Sequence, residues 1–164
     1  MTNEVEDIDH GFDAMMDMLE ELDGENYVEV GVPEGSGQYD DGANQVTVAT
    51  ANEFGATIEH PNGATITIPE RSFIRSTMDD KDRRFTALLS KFIGEIIDGD
   101  MTPDDAMEGL GLDAVAQVKR KIDDLKEPPN AESTIRQKRG SSNPLVDTGN
   151  LKQSITHRVN GEDT

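Results

Sequence analysis

The first seventy residues of this chain contain no lysine or arginine, and Arg71 is the first such base. Seventeen of the 34 acidic residues fall in that stretch, and the other seventeen share residues 71–164 with all 15 Lys and Arg residues. The formal net charge of −19 therefore divides as −17 and −2 between the two parts. A field of that kind repels phosphate and argues against nucleic-acid binding by the N-terminal half. Two readings of the acidity compete. In one, abundant carboxylates, with Asp exceeding Glu by 19 to 15, keep a surface hydrated in high salt. In the other the acidic surface is functional, as a DNA mimic or a channel wall, and the asymmetry between the halves supports it.

At 164 residues a single domain over 1–164 is expected, long enough to bury a core without a disulfide or metal staple. The absence of cysteine removes thiol catalysis, disulfides and cysteine-ligated zinc together. Residues 1–25 hold ten acids and no base, and no run of about 18 apolar residues occurs, so neither a signal peptide nor a membrane span is expected.

Periodicity gives an α+β reading: an antiparallel sheet packed against two long helices, with an additional N-terminal amphipathic helix and a long interface loop. Phe12, Met15, Met16, Leu19 and Leu22 fall at helical spacing between Asp9 and Gly24, which predicts that helix over 10–23. Val28, Val30 and Val32 alternate as a strand. Residues 33–45, rich in Gly and acid, read as a mobile loop. Residues 57–68 read as a hairpin turning at Asn62 and Gly63. Thr77 and Asp80 suit a capping box, after which Phe85, Leu88, Leu89, Phe92, Ile93 and Ile96 form one apolar stripe over 78–97. Burying that stripe is worth about 10 kcal/mol gross, which makes the helix the expected spine of the core. Thr102 and Pro103 open a second long helix that runs until Pro128 and Pro129. Gly109 and Gly111 mark either a break in it or the close approach of another backbone. Residues 10–127 thus form the expected helix and sheet core, 128–150 an extended loop, and 151–160 a closing strand.

Chemistry is scarce. In residues 98–109 a calcium loop would need Gly where Pro103 stands and Glu where Gly109 stands, so a helix cap is the better reading. His10, His60 and His157 have no ligand spacing, and the paired aspartates read as solvated faces. No catalytic residue, metal site or cofactor is expected.

What remains is a series of short segments: NEFG (52–55), IPERSFIR (68–75), the helix with Gly111, STIRQK (133–138) and PLVDTGNLKQSIT (144–156). In that order and spacing, over about residues 46–160, they resemble the tail-completion and neck proteins of long-tailed phages and related archaeal viruses, a minor-tail family of virion morphogenesis. The motif positions are Phe54, Gly55, Pro69, Phe73, Arg75, Gly111, Asp147, Thr148, Gly149 and Leu151. The resemblance implies a structural virion protein of the head-to-tail connection, not an enzyme. It would be a homo-oligomeric ring, expected as a hexamer, that joins connector or adaptor proteins to the tail after assembly in the host cytoplasm. DNA would pass through without specific binding, and no membrane is involved. A tail terminator or another minor tail protein is the near alternative, and an acidic nucleic-acid-mimic inhibitor the distant one.

Two interfaces follow from the residues. Arg136, Lys138 and Arg139, with Pro144 and Leu145, are expected to meet the acidic half of a neighbouring subunit. Glu34, Asp40 and Asp41 are expected to face the lumen of a ring, because carboxylates offer DNA no counterion release. In PLVDTGNLKQSIT, Asp147 or Thr148 is expected to cap a short helical turn carrying Leu151, with a strand from Ser154 onward.

A chain of this charge should be loosened by self-repulsion at low ionic strength, since the Debye length grows from about 3 Å at 1 M to about 30 Å at 0.01 M. The thermal midpoint should rise with KCl between these limits. A midpoint that does not move would count against salt adaptation.

Overall fold

In a computed structural model of the chain, the described residues are 26–39, 42–59, 63–138, 142–160 and 162–163, together with residue 16. Apart from Met16, which is exposed, the helix expected over 10–23 lies outside them. The alternating valines form β1 (Val28–Gly31) as expected. The acidic glycine-rich stretch after it carries its own hydrogen bonds: Ser36 N–H to Pro33 O, Tyr39 N–H to Ala43 O and Gln45 N–H to Gly37 O.

The next element, α1 (Gln45–Phe54), was not anticipated. Four of its first six residues, Val46, Thr47, Val48 and Thr50, are β-branched and favour strands. Its buried positions are Gln45, Ala49 and Glu53, at helical spacing but without a large apolar side chain, so no hydrophobic period announces them. Asn44 caps it, its Oδ1 accepting from Val46 N–H at 2.8 Å. Gly55 ends it at φ +73°, where a Cβ would lie 3.1 Å from Glu70 N and 3.2 Å from Ile68 O.

The hairpin is present as β2 (Ala56–Glu59) paired antiparallel with β3 (Thr65–Ile68), with Ile58 opposite Ile66. It stands apart from the other strands, so the single antiparallel sheet expected from sequence is in fact two small ones.

The long helices are α2 (Arg75–Ile97) and α3 (Pro103–Asp124). Thr77 does not cap α2. It is buried within the first turns and its Oγ1 donates to Phe73 O at 2.6 Å, while Asp80 reaches Lys121 on α3 at 2.8 Å. Of the expected stripe, Phe92 and Ile96 are buried against Ala106, but Leu89 and Ile93 are exposed, as is Ile97 a turn further on. α2 is therefore not the spine. The main core is built from Phe73, Val118, Ile122, Leu145, Leu151 and Ile155, with Ala49 of α1. The stripe on α2 is wider than the contact that α3 offers it. Arg84 grips both oxygens of Asp113 at 2.6 and 2.8 Å, and together with Lys121 and Asp80 it pins α2 to α3. These bonds to Lys121 and Arg84 hold the Asp80 and Asp113 carboxyls below the usual carboxylate range.

α3 begins as expected: Thr102 Oγ1 accepts from Asp105 N–H at 3.1 Å, and Pro103 and two aspartates occupy the first turn. The helix runs unbroken through both glycines, and what approaches them is not backbone but rings. A Cβ on Gly109 would lie 3.0 Å from the Phe92 ring, and one on Gly111 only 2.1 Å from the imidazole of His157. That imidazole is buried and its Nε2 sits 2.9 Å from Glu108 Oε2.

The expected extended loop at 128–150 holds α4 (Glu132–Gln137) and a buried run at Asn143, Pro144 and Leu145. α5 (Asn150–Ser154) follows, then β4 (Thr156–Val159), which pairs antiparallel with β1 and places His157 opposite Val30. β5 (Glu162–Asp163) extends this sheet to the order β1-β4-β5, and β1 and β4 pack on α3.

The two environments of helical glycine give opposite expectations. Gly111→Ala forces a Cβ into the His157 ring and should cost about 2 kcal/mol or more. Gly94→Ala on α2 meets nothing within 4 Å and should gain about 1 kcal/mol. Urea unfolding of both variants checks this, and equal midpoints would remove the packing account of Gly111.

Candidate functional site

The N-terminus of α2 leaves its first amide groups without intrahelical partners. Its N-cap residue is Ile74, which has no acceptor to offer. The acceptor comes instead from Glu53 at the end of α1. Glu53 Oε2 takes the N–H groups of Phe73 at 2.8 Å and Ile74 at 2.9 Å, while Oε1 takes Arg75 N–H at 3.0 Å and the Ser72 hydroxyl at 2.7 Å. Arg75 closes the arrangement. Its Nε donates to Glu53 Oε1 at 3.1 Å and its Nη2 to Glu53 O and to Glu70, and its guanidinium lies over the Phe54 ring, 4.4 Å from the centroid. NEFG and IPERSFIR are thus two halves of one helix cap, with Gly55 allowing the chain to fold back against residues 68–70.

Glu53 is 4 % exposed. Burial by itself would raise its pKa, but the N–H groups of Ile74 and Arg75, the Ser72 hydroxyl and Phe73 N–H outweigh that and hold the carboxyl below its ordinary value.

Arg71, buried beside this cap, extends it towards the C-terminal third. Its N–H donates to Asn52 O at 2.7 Å and its Nη1 to Asn52 Oδ1 at 3.1 Å, while Nε and Nη2 reach Pro128 O, Pro129 O and Asn130 Oδ1. Asn130 Nδ2 donates to Pro144 O. Lys138 Nζ donates to the carbonyls of Asn143 at 2.7 Å, Val146 at 2.9 Å and Pro144 at 3.2 Å. Burial lowers the pKa of its ammonium. Asn143 Nδ2 in turn takes up the Ile122 and Asp123 carbonyls at the end of α3, and its Oδ1 accepts from Leu145 N–H. The result is a continuous polar clasp joining α1, α2, the end of α3 and residues 128–146.

The residues singled out in the sequence fall at the following places. Lys138, Pro144 and Leu145, expected at a subunit interface, are placed within the subunit, Lys138 in the clasp and Leu145 in the core. Arg136 is exposed, with Glu132 at 3.9 Å as its carboxylate among the described residues, and Arg139 lies outside them. Glu34 is exposed on the turn after β1, and Asp40 and Asp41 lie outside the described residues. Of the motif positions, Phe73 and Leu151 are core, Gly111 packs against His157, and Pro69 is half-buried between β3 and Arg71. The turn of residues 147–149 leads into α5 through Gly149 at φ +86°, which is its N-cap. Asp147 and Thr148 are exposed, and the Thr148 hydroxyl accepts from Asn150 N–H at 3.4 Å.

Glu53, Asn52, Arg71 and Asn143 were missed as a unit. The available signal was Glu53 itself, an acid four residues after Ala49 on the buried side of α1, and Arg71 as the first base after seventy residues. No cluster of three or more possible metal ligands occurs among the described residues, and no helix among them is long and apolar enough to cross a membrane. Both oxygens of the Glu53 carboxylate are occupied by donors of the chain, which suits the clasp to holding shape. No protein-family model, curated protein or solved structure matches the chain.

The sign of the Glu53 shift fixes a pH window. With the folded value below the ordinary 4.5, its contribution to stability is complete above that pH and is lost as the pH falls below it. Glu53→Gln should therefore cost about 2 kcal/mol at pH 7, and the gap to the native chain should narrow below pH 4.5. A gap that stays constant from pH 7 to pH 3 would contradict the assignment.

Proposed function

We propose that this chain is a structural subunit of a tailed virus's neck, a tail-completion protein that assembles with copies of itself between connector and tail. The observation that carries the reading is the clasp. Four of the five segments on which the resemblance rests are drawn into it: NEFG bonds IPERSFIR through Glu53 and Arg71, STIRQK bonds the start of PLVDTGNLKQSIT through Lys138, and Asn130, between Arg71 and Pro144 O, links the two pairs. A pattern that coincides with the bonds holding a fold together belongs to the scaffold, and segments meeting by chance would have no such relation.

The surface fits an assembly part. Among the described residues before Arg71 the exposed charged groups are the carboxylates of Glu29, Glu34, Glu59 and Glu70, and large apolar side chains stand in water at Phe54, Ile58, Ile66, Leu89, Ile93 and Ile97. Exposed apolar groups in a chain this charged point to contacts made with other proteins. Subunit contact is assigned to those groups, in place of Lys138, Pro144 and Leu145. Glu34 retains its role on a lumen wall, as the described acid of the turn after β1.

Interrupting the gene in its virus should yield filled heads and separate tails, with joining restored by the native chain in trans. Intact, infectious particles without the protein would overturn the neck assignment.

A further inference from the structure

The sheet β1-β4-β5 ends on two unlike edges. On one side β5 is only two residues long, Glu162–Asp163, and so short an edge offers little to pair with. The other edge is β1. Asn160 N–H donates to Tyr27 O at 3.0 Å, and the antiparallel register with β4 then runs unbroken from Val28 opposite Val159 to Gly31 opposite Thr156. Backbone groups alternate in direction along such a ladder, so Tyr27, Glu29 and Gly31 turn theirs to β4 while Val28, Val30 and Val32 turn theirs outwards. Val32 is kept extended by Pro33 after it, and the N–H that Pro33 lacks would point to the β4 side. Among the described residues nothing bonds to the outward N–H and C=O groups of these three valines. Their side chains are only half-buried, although Val30 stands opposite the buried His157 and both Val30 and Val32 pack on the main core.

We infer that β1 pairs antiparallel with β1 of a second copy, about a two-fold axis at Val30. The strand's own sequence selects the occupant and the register. With Val30 opposite Val30, Val28 meets Val32 and Val32 meets Val28, so the outward groups of all three valines in both copies are used. Residues opposite one another share a face, so the valines form one unbroken row on the side of the sheet that packs on α3. On the other face Glu29 meets Gly31. Sliding one strand by two residues in one direction would set Glu29 against Glu29, like charges directly opposed. Sliding it the other way carries Val28 past Val32 to Glu34 on the turn and loses a third of the hydrogen bonds. Glu29 is the only charge on β1, and Arg158 of β4 stands opposite it, so copies that each carry −19 meet here with little local repulsion.

The contact is made by the same patch on both chains and closes at two copies. It does not rest on the proposed function, because a two-fold contact pairs chains and a ring is closed by other surfaces.

The absence of cysteine makes the test direct. Glu29 is exposed, and a Cβ on Gly31 meets nothing within 4 Å, so both positions accept a substitution. In the pairing they oppose one another without a direct hydrogen bond, with Cα atoms about 4.5 Å apart, within reach of a disulfide. Single-cysteine variants Glu29→Cys and Gly31→Cys are mixed in equal amounts at about 1 M KCl, which shortens the Debye length to about 3 Å, and oxidised. A covalent dimer of one chain of each kind should exceed either self-pair several-fold. Adding Val30→Pro to both variants removes an outward N–H and spares the bonds to β4, so it should leave circular dichroism unchanged and reduce the mixed dimer to the level of an Arg136→Cys control. Self-pairs as abundant as mixed ones, mixed cross-linking no greater than that of the control, or a mixed dimer that survives Val30→Pro in the folded chain would overturn the inference. Should the proline variant lose its circular dichroism, the ratio of mixed to self-paired dimers decides alone.

Discussion

A helix whose first amide groups lack acceptors frays from that end, and at α2 a carboxylate from another helix takes the N–H groups of Phe73, Ile74 and Arg75 while the Ser72 hydroxyl accepts from Ser76 N–H. Glu53 receives three backbone N–H groups and a hydroxyl, and it is buried while doing so. Hydrogen bonds to a charged acceptor are worth about 1.5 to 3 kcal/mol each, and the positive end of the helix dipole adds to them. A buried carboxylate without such donors would cost several kcal/mol, so the site either forms complete or is strongly unfavourable. That makes it a switch-like constraint on folding: the Glu53 carboxylate is the buried centre of the contact that places α1 against α2, with Arg75 on Glu53 O and Arg71 on Asn52 around it. The region that supplies it has no base of its own, and the compensation comes entirely from beyond residue 70.

Arg71 carries the same logic further. Its guanidinium uses its fixed fork of donors on Asn52, Pro128, Pro129 and Asn130, four groups that could not be gathered by one flexible ammonium. Lys138 then gathers three carbonyls around a buried Leu145, sharing Pro144 O with Asn130 Nδ2 and Asn143 O with Val146 N–H. The C-terminal third is therefore held by polar bonds at 128–146 and by apolar burial at Leu151 and Ile155, and β4 closes on β1 with its His157 ring filling the space Gly111 leaves. Outside this ordered interior, Leu89, Ile93 and Ile97 remain exposed.

Elements with strong local signals were legible in the sequence. β1 follows from its alternating valines, the hairpin from its extended arms about a turn, and the start of α3 from Thr102 and Pro103. The apolar stripe on α2 was legible as a stripe but misread as core, because periodicity says that a face is apolar and not what covers it. α1 was missed because its buried face ends in Glu53 and its body is β-branched. The clasp is invisible to periodicity altogether: it joins residues as much as 59 apart by side chains whose types, taken singly, are ordinary in loops. Lys138 illustrates the cost, since a lysine in a polar stretch reads as a cation offered to a neighbouring subunit until the carbonyls around it are seen.

The central claim is that the Glu53 carboxylate makes the start of α2 part of the cooperative core rather than a frayed end. Amide hydrogen exchange of the native chain at neutral pH reads this directly, residue by residue, at Phe73, Ile74 and Arg75, whose N–H groups have no helical acceptor. The account predicts that these three amides exchange only through global opening, with protection matching that of Val118 and Ile122 in the core. Exchange at the rate of a frayed helix terminus while Val118 and Ile122 stay protected would contradict it.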